Sequence, residues 1–418
     1  MAGIKTSGIS SRLTLLSFLE FAIWGAYLTS VGIYLFKVGL GEKIGWFFAI
    51  QGIASIFMPA IMGVIADKWV SAQKLLSFCH LVTALSMATA GYVAMQEATE
   101  VKFGNLFLPY SIGVAFFMPT IALSNSVSYT LLGREGKNVE KTFPRIRVFG
   151  TIGFIASMWA IDLLGFKDSY NQFFVSSALG LTMAIYSMTM PDCPPNKTDK
   201  GRKIASMMGA DALKYLKEKN IALFFLFSML LGCALQISNG YAGAYISSFT
   251  ADAQYAETFA VRYPIIMTSL SQISETLCLL LIPFFLTRYG IKKVMIMAMT
   301  AWALRFCFLA MGNPGDGVWL FVLSMLVYGI AFDFFNISGS LYVNRTFDKN
   351  VRSSAQGLFM LATNGLGASV GMLLAQKVVD YSLAHSGWST AWYIFATYTV
   401  AITLLFALFF KEKRNIED

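Results

Sequence analysis

The chain has 418 residues, of which 56% are hydrophobic and only 13% charged, and its formal net charge is +9. An ordinary soluble domain carries roughly 25% charged residues and keeps a polar outer face on its helices, so a water-soluble fold is excluded. The apolar blocks, at about 20 residues, also exclude a transmembrane barrel, whose strands run about ten residues and alternate in polarity.

A helix that crosses the hydrocarbon core needs about 20 apolar residues. On that rule twelve spans are predicted, at 13–36, 44–66, 75–95, 106–132, 147–165, 171–190, 221–248, 264–287, 294–312, 318–342, 355–378 and 389–410. The first is too long for a signal-peptide core and has no small-residue cleavage site after it, so it is expected to stay in the mature protein. Lys37, Lys43, Lys102, Lys167, Arg262 and Lys377 fall on one side of this arrangement. Arg147 and Arg305 lie at or inside spans, and the remaining Lys and Arg residues fall on the side of the termini. The positive-inside rule makes that side cytoplasmic, with both termini. The basic charge is therefore a matter of topology and gives no reason to expect a nucleic-acid partner. Five cysteines without C-x-x-C spacing and two histidines, His80 and His385, offer neither a disulfide framework nor a histidine-based metal site.

The longest polar interruption, Pro191–Asn220, separates six-helix bundles at 1–190 and 221–418 and reads as a cytoplasmic linker at 191–220. Each bundle has a basic turn between its second and third spans, G-V-I-A-D-K-W from Gly63 and T-R-Y-G-I-K-K from Thr287. Six plus six with a matching turn is the plan of the major facilitator fold, an all-α membrane protein of twelve transmembrane helices. Gly63, Asp67 and Lys68 resemble that superfamily's loop motif, although Thr287 stands where the second copy would carry its acid.

A charge at the bilayer centre costs about 2.5–3.5 kcal/mol, so each one needs a reason. Glu20, Glu275, Arg305 and Asp333 fall inside spans, and Arg147 lies at a cytoplasmic helix end. Asp162, close to the outer end of its span, is expected to be solvated. Arg147, Thr151 and Phe154 share a helical face, as do Gln236 with Asn239, Gln272 with Glu275, and Tyr328 with Phe332, Asp333 and Asn336. Isolated Asn or Gln residues are explained by helix–helix hydrogen bonds. Amide pairs beside carboxylates and aromatics point instead to a shared cavity. Amides can bind a base edge or a hydroxyl pair, rings can stack on a base, and too few cations are present for a phosphate. The residues thus call for a neutral, hydroxylated solute, with or without an aromatic ring, and sugar and nucleoside stay tied.

Asp333, among Phe332, Phe334 and Phe335, sits where desolvation favours a protonated carboxyl, which makes it the better proton carrier. Glu275, among polar neighbours, then holds substrate, with exchanged or shared roles left open. At ~1.5 Å per residue Arg305 is closer in depth to Glu275 than to Asp333; it either pairs with a carboxylate structurally or serves the substrate. Glu20 either lines the cavity or pairs within the first bundle. His80, beside Cys79, shows no obvious acid partner, and nothing in the sequence reads as an enzyme's reactive constellation or a channel filter.

The runs F-P-R-I-R-V-F-G-T-I-G-F (Phe143–Phe154), L-L-G-C-A-L-Q-I-S-N (Leu230–Asn239), S-Q-I-S-E-T (Ser271–Thr276) and Y-G-I-A-F-D-F-F-N-I-S-G-S (Tyr328–Ser340) resemble the bacterial nucleoside:proton symporter family of the major facilitator superfamily. So do M-P-T-I-A-L-S-N-S-V-S-Y (Met118–Tyr129) and S-S-A-Q-G-L-F-M (Ser353–Met360), and the resemblance extends over nearly the whole chain. It implies a nucleoside site formed by Arg147, Thr151, Phe154, Gln236, Asn239, Gln272, Glu275, Tyr328 and Phe332, with proton coupling by Asp333 and Glu275. Glu20 departs from the Gln of the family pattern, which opens the question of an extra titratable group. G-Y-A-G-A-Y after Asn239 is a second departure. The expectation is a proton-coupled nucleoside uptake transporter of the bacterial inner membrane, a monomer needing no cofactor beyond the coupling proton. A sugar or other small polar solute symporter of the same fold is the alternative.

Overall fold

The computed structural model describes residues 8–98, 100–195 and 209–411, the side chains of Lys349 and Asn350 excepted. The basic residues Lys5, Lys197, Lys200, Arg202, Lys203, Lys413 and Arg414, which entered the expected topology, lie outside the described residues. Every regular element among the described residues is helical, and helix occupies each predicted span. Nine of these helices are long and apolar enough to cross a membrane. Leu280 is 78% exposed and Leu408 is 70% exposed. Apolar side chains turned outward on this scale suit a hydrocarbon solvent, in which burying a leucine brings no hydrophobic gain.

Two compact units divide the chain. The first takes in the described residues of Met1–Gly41 and Phe57–Ile204, and the second those of Glu42–Ile56 and Ala205–Asp418. In the first unit, α1 (Ile9–Gly25) is followed after a turn by α2 (Val31–Lys37), and α3 (Ile44–Lys68) contributes its second half. Next come α4 (Ala72–Glu97), α5 (Phe103–Phe117), α6 (Thr120–Arg134), α7 (Val139–Leu163) and α8 (Asn171–Met188). Pro119 separates α5 from α6, since it has no N–H to continue the ladder. The Asn138 side chain starts α7 by accepting from the Lys141 amide at 3.0 Å. α1 packs on α6, α7 and α8, and α4 packs on α5, α6 and α8. The α1–α7 contact requires Gly25 and Gly153: a methyl group on either would run into the backbone of Phe154 or Phe18, respectively. Small residues let membrane helices meet backbone to backbone.

The second unit holds α9 (Lys219–Ser248), the short α10 (Phe259–Arg262), α11 (Pro264–Met311) and α12 (Val318–Thr346). α13 (Lys349–Met360) runs through a π-helical stretch, Leu361–Gly367, into α14 (Ala368–His385), and α15 (Trp388–Phe409) follows. The 48 residues of α11 cover two predicted spans, and they change course at Gly290, whose φ of 78° only glycine adopts readily. α11 packs on α12 and α15, and α9 packs on the π-helical stretch and on α14. The Glu42–Ile56 segment belongs to this unit through Gln376, whose Oε1 accepts from the Gly45 amide at 2.6 Å and the Tyr241 hydroxyl at 2.8 Å.

Candidate substrate and proton site

The first unit places its three expected residues along α7. The guanidinium carbon of Arg147 stands 3.7 Å from the centre of the Phe21 ring on α1, a cation–π contact that fixes a half-buried charge beside an aromatic face. Two turns further along, Phe154 is buried edge-on against Trp24, with ring centres 6.1 Å apart and planes at 86°. Thr151 lies between them, half-buried. The arrangement offers one cation, one hydroxyl and aromatic surface on a single stripe.

The second unit gathers the other expected residues on α9, α11 and α12. Tyr328 and Phe332, one helical turn apart, stack with ring centres 5.8 Å apart and planes within 9°. Trp302 meets Tyr328 edge-on at 5.8 Å. Asp333 is 6% exposed, and its Oδ2 has no hydrogen-bond partner among the described residues; the same holds for Oε1 of Gln236. Buried acceptors are nearly always paired in folded proteins, so each of these two oxygens is open to a further donor. Gln272, Glu275 and Asn239 are half-buried, and the Asn336 amide is committed to the Phe332 carbonyl at 3.0 Å.

Three expectations need correction. Arg305, 2% exposed, makes no ion pair among the described residues. Its Nε and Nη2 donate to Ser238 Oγ at 3.0 and 2.6 Å, and Nη1 donates to Ser271 Oγ at 3.2 Å and the Ser324 carbonyl at 2.6 Å. Neutral oxygens on three helices thus hold the charge, and depth along a helix could not reveal which face those oxygens occupy. Asp162 is buried and has Lys167 Nζ at 3.4 Å, because the lysine after the helix end folds back over it. His80 does have an acid partner: Glu20, sixty positions away on α1, stands 2.9 Å from its Nε2. Glu20 therefore pairs within the first unit.

The sequence reading also missed residues. Beside the expected Phe332 and Asn336, one cleft of the second unit is lined by Leu235, Trp302, Thr363 and Asn364. Thr363 and Asn364 belong to the π-helical stretch, a form that recurs at functional sites. Their signal was a polar pair beside Gly365 and Gly367 at the middle of a predicted span.

Residues 7–415 match the sequence profile of the nucleoside H+ symporter family. Over 407 residues the chain is 43% identical to the nucleoside permease NupG of Escherichia coli K12, covering 96% of each sequence. It is 42% identical over 414 residues to the xanthosine permease of the same organism, covering 98% of this chain and 97% of that one. A crystal structure of the nucleoside transporter NupG matches with a TM-score of 0.89 at 41% identity, over 97% of this chain and 100% of that one. A D-xylose-proton symporter matches with a TM-score of 0.70 at 14% identity, over 97% of this chain and 98% of that one, a likeness of fold alone.

Proposed function

We propose, since the chain belongs to the nucleoside H+ symporter family, that it carries nucleosides inward together with protons by alternating access. In the first unit we assign nucleoside contact to Arg147, Thr151 and Phe154. In the second we assign it to Gln236, Asn239, Gln272, Glu275, Tyr328 and Phe332, and we assign proton coupling to Asp333 with Glu275. The protein works as a monomer in the bacterial inner membrane with both termini cytoplasmic, and it needs no cofactor beyond the coupling proton. The positive-inside distribution of Lys and Arg supports that orientation.

One observation carries the reading: the parallel Tyr328–Phe332 rings lie on α12 directly before Asp333, whose Oδ2 lacks a hydrogen-bond partner among the described residues. Stacked rings match the flat face of a base, and an unfilled carboxylate oxygen can take a proton or a hydroxyl donor. A sugar offers no comparable flat face, so the aromatic pair favours a nucleoside over the sugar alternative.

The deciding experiment is uptake in a host lacking its own nucleoside transport, with labelled uridine, adenosine and xanthosine and with lactose as competitor. Uridine uptake that collapses with a protonophore and ignores excess lactose is the expected result. Uptake that survives the protonophore, or that lactose suppresses, overturns the reading.

A further inference from the structure

The first unit contains a buried titratable cluster that the assigned coupling residues leave unused. Glu20 on α1, His80 on α4 and Thr120 at the start of α6 meet in its interior, and all three side chains are 0% exposed. His80 Nε2 stands 2.9 Å from Glu20 Oε2. His80 Nδ1 has no hydrogen-bond partner among the described residues, so the ring hydrogen belongs on Nε2, where it can be donated.

The Thr120 hydroxyl decides the rest. Its oxygen is 2.6 Å from Glu20 Oε1 and also 2.6 Å from the Phe117 carbonyl oxygen. A hydroxyl has one hydrogen and two lone pairs. If Glu20 is ionised, Thr120 gives its hydrogen to the carboxylate and the Phe117 contact goes unmade, or the reverse. If Glu20 carries a proton on Oε1, that proton is donated to Thr120, and Thr120 donates onward to Phe117. Every short contact is then a hydrogen bond, and the cluster has no net charge. Loading the site thus takes one added proton on Glu20 and a rotation of the Thr120 hydroxyl toward Phe117.

Other charged or titratable groups surround the cluster without replacing it. Cys79 lies beside His80 on α4. Arg147 of α7 covers Phe21, the residue after Glu20. Tyr110 of α5 meets Tyr27 of α1 edge-on at 5.8 Å. On α8, the Tyr186 hydroxyl donates to the Arg12 carbonyl at 3.0 Å. Arg134 stands at the far end of α6, Lys74 lies six residues before His80 at the start of α4, and Asp162 of α7 is paired with Lys167. Among the described residues, the basic side chain within hydrogen-bond reach of Glu20 is that of His80.

We propose that Glu20, whose protonated carboxyl Thr120 accepts from and whose other oxygen His80 orients, is a second proton-binding site that loads and unloads with each nucleoside carried. The proton comes from water on the outer side, resides on Glu20 Oε1, and returns to water on the inner side. This inference rests on the proton-coupled uptake proposed above and adds a site in the first unit to Asp333 in the second.

The test is the proton-to-nucleoside ratio in proteoliposomes, read from the membrane voltage that just halts uridine flux at a fixed pH gradient. The wild type is expected to move about two protons per uridine, and Glu20→Gln about one, because coupled free energies scale with the number of linked ions. Glutamine is the isostere of the protonated carboxyl and can donate to Thr120, so packing is kept. Thr120→Val, which leaves the carboxylate and removes the oxygen that accepts from its protonated form, is expected to give the same drop. A wild-type ratio of one, or a ratio of two in both variants, overturns the inference while leaving coupled uptake intact. Uridine flux with no proton movement at all overturns both readings.

Discussion

The guanidinium carbon of Arg305 lies 4.8 Å from the centre of the Tyr328 ring. The cation is held against that face by Ser238, Ser271 and the Ser324 carbonyl, so α9, α11 and α12 are tied together at the level of the aromatic pair. Each hydrogen bond to a charged group contributes about 1.5–3 kcal/mol. A lysine lacks the planar fork that reaches all three oxygens. Arg305→Lys is therefore expected to lower thermal stability and, by releasing Tyr328, to weaken uridine binding about tenfold, the equivalent of ~1.4 kcal/mol. Detergent-solubilised melting and radioligand binding check this. Unchanged affinity would mean that Tyr328 needs no support from beneath.

Phe332 extends the stack begun by Tyr328, with the ring planes within 9°. Base–aromatic stacking contributes about 1–3 kcal/mol. Phe332→Ala should raise the KM for uridine by roughly tenfold or more, while Phe332→Tyr should leave it near the wild-type value. Equal values in all three proteins would remove Phe332 from the nucleoside contacts.

For Asp333, the unpartnered Oδ2 sets the expectation. Asp333→Asn keeps the shape and removes a titrating group. At a pH gradient of one unit, steady-state uridine accumulation is expected to fall by about tenfold or more, while exchange of internal for external uridine continues. Accumulation equal to the wild type would transfer coupling elsewhere.

Much of the architecture was legible because lipid imposes a length and a composition on every span. The spans were readable without any knowledge of contacts, whereas the placing of Glu42–Ile56 with the second unit was not. The stripes were legible for a related reason: Tyr328, Phe332 and Asn336 are polar or aromatic four residues apart, and that spacing fixes their face. Contacts between distant helices were not legible. Nothing in the sequence brings Glu20 to His80, or Arg305 to Ser238, because helix rotation and depth are set by packing, such as that at Gly25 and Gly153. Lys167 covering Asp162 is a smaller instance, since a loop lysine reads as solvated until its fold-back is seen.

A pH prediction concerns Asp192, in the chain that leaves α8. The Gln73 side chain donates to its Oδ1 at 2.6 Å. That hydrogen bond, then one from Ser71, with Lys74 and Arg134 nearby, holds its carboxyl below the usual range. A depressed carboxylate adds stability that is present above its unfolded value of about 4 and is lost as pH falls through the lower folded value. Melting temperatures of the wild type and Asp192→Asn should therefore differ by a constant amount above about pH 5 and converge in more acid solution. A gap that widens on acidification would contradict the sign.

The central claim is that nucleoside and proton cross together. Its most direct measurement is the external pH of a lightly buffered suspension of de-energised cells when uridine is added. The account predicts alkalinisation that begins with uridine entry, scales with the amount taken up and disappears with a protonophore. Clear uridine uptake at constant external pH would make the protein a facilitator and contradict it.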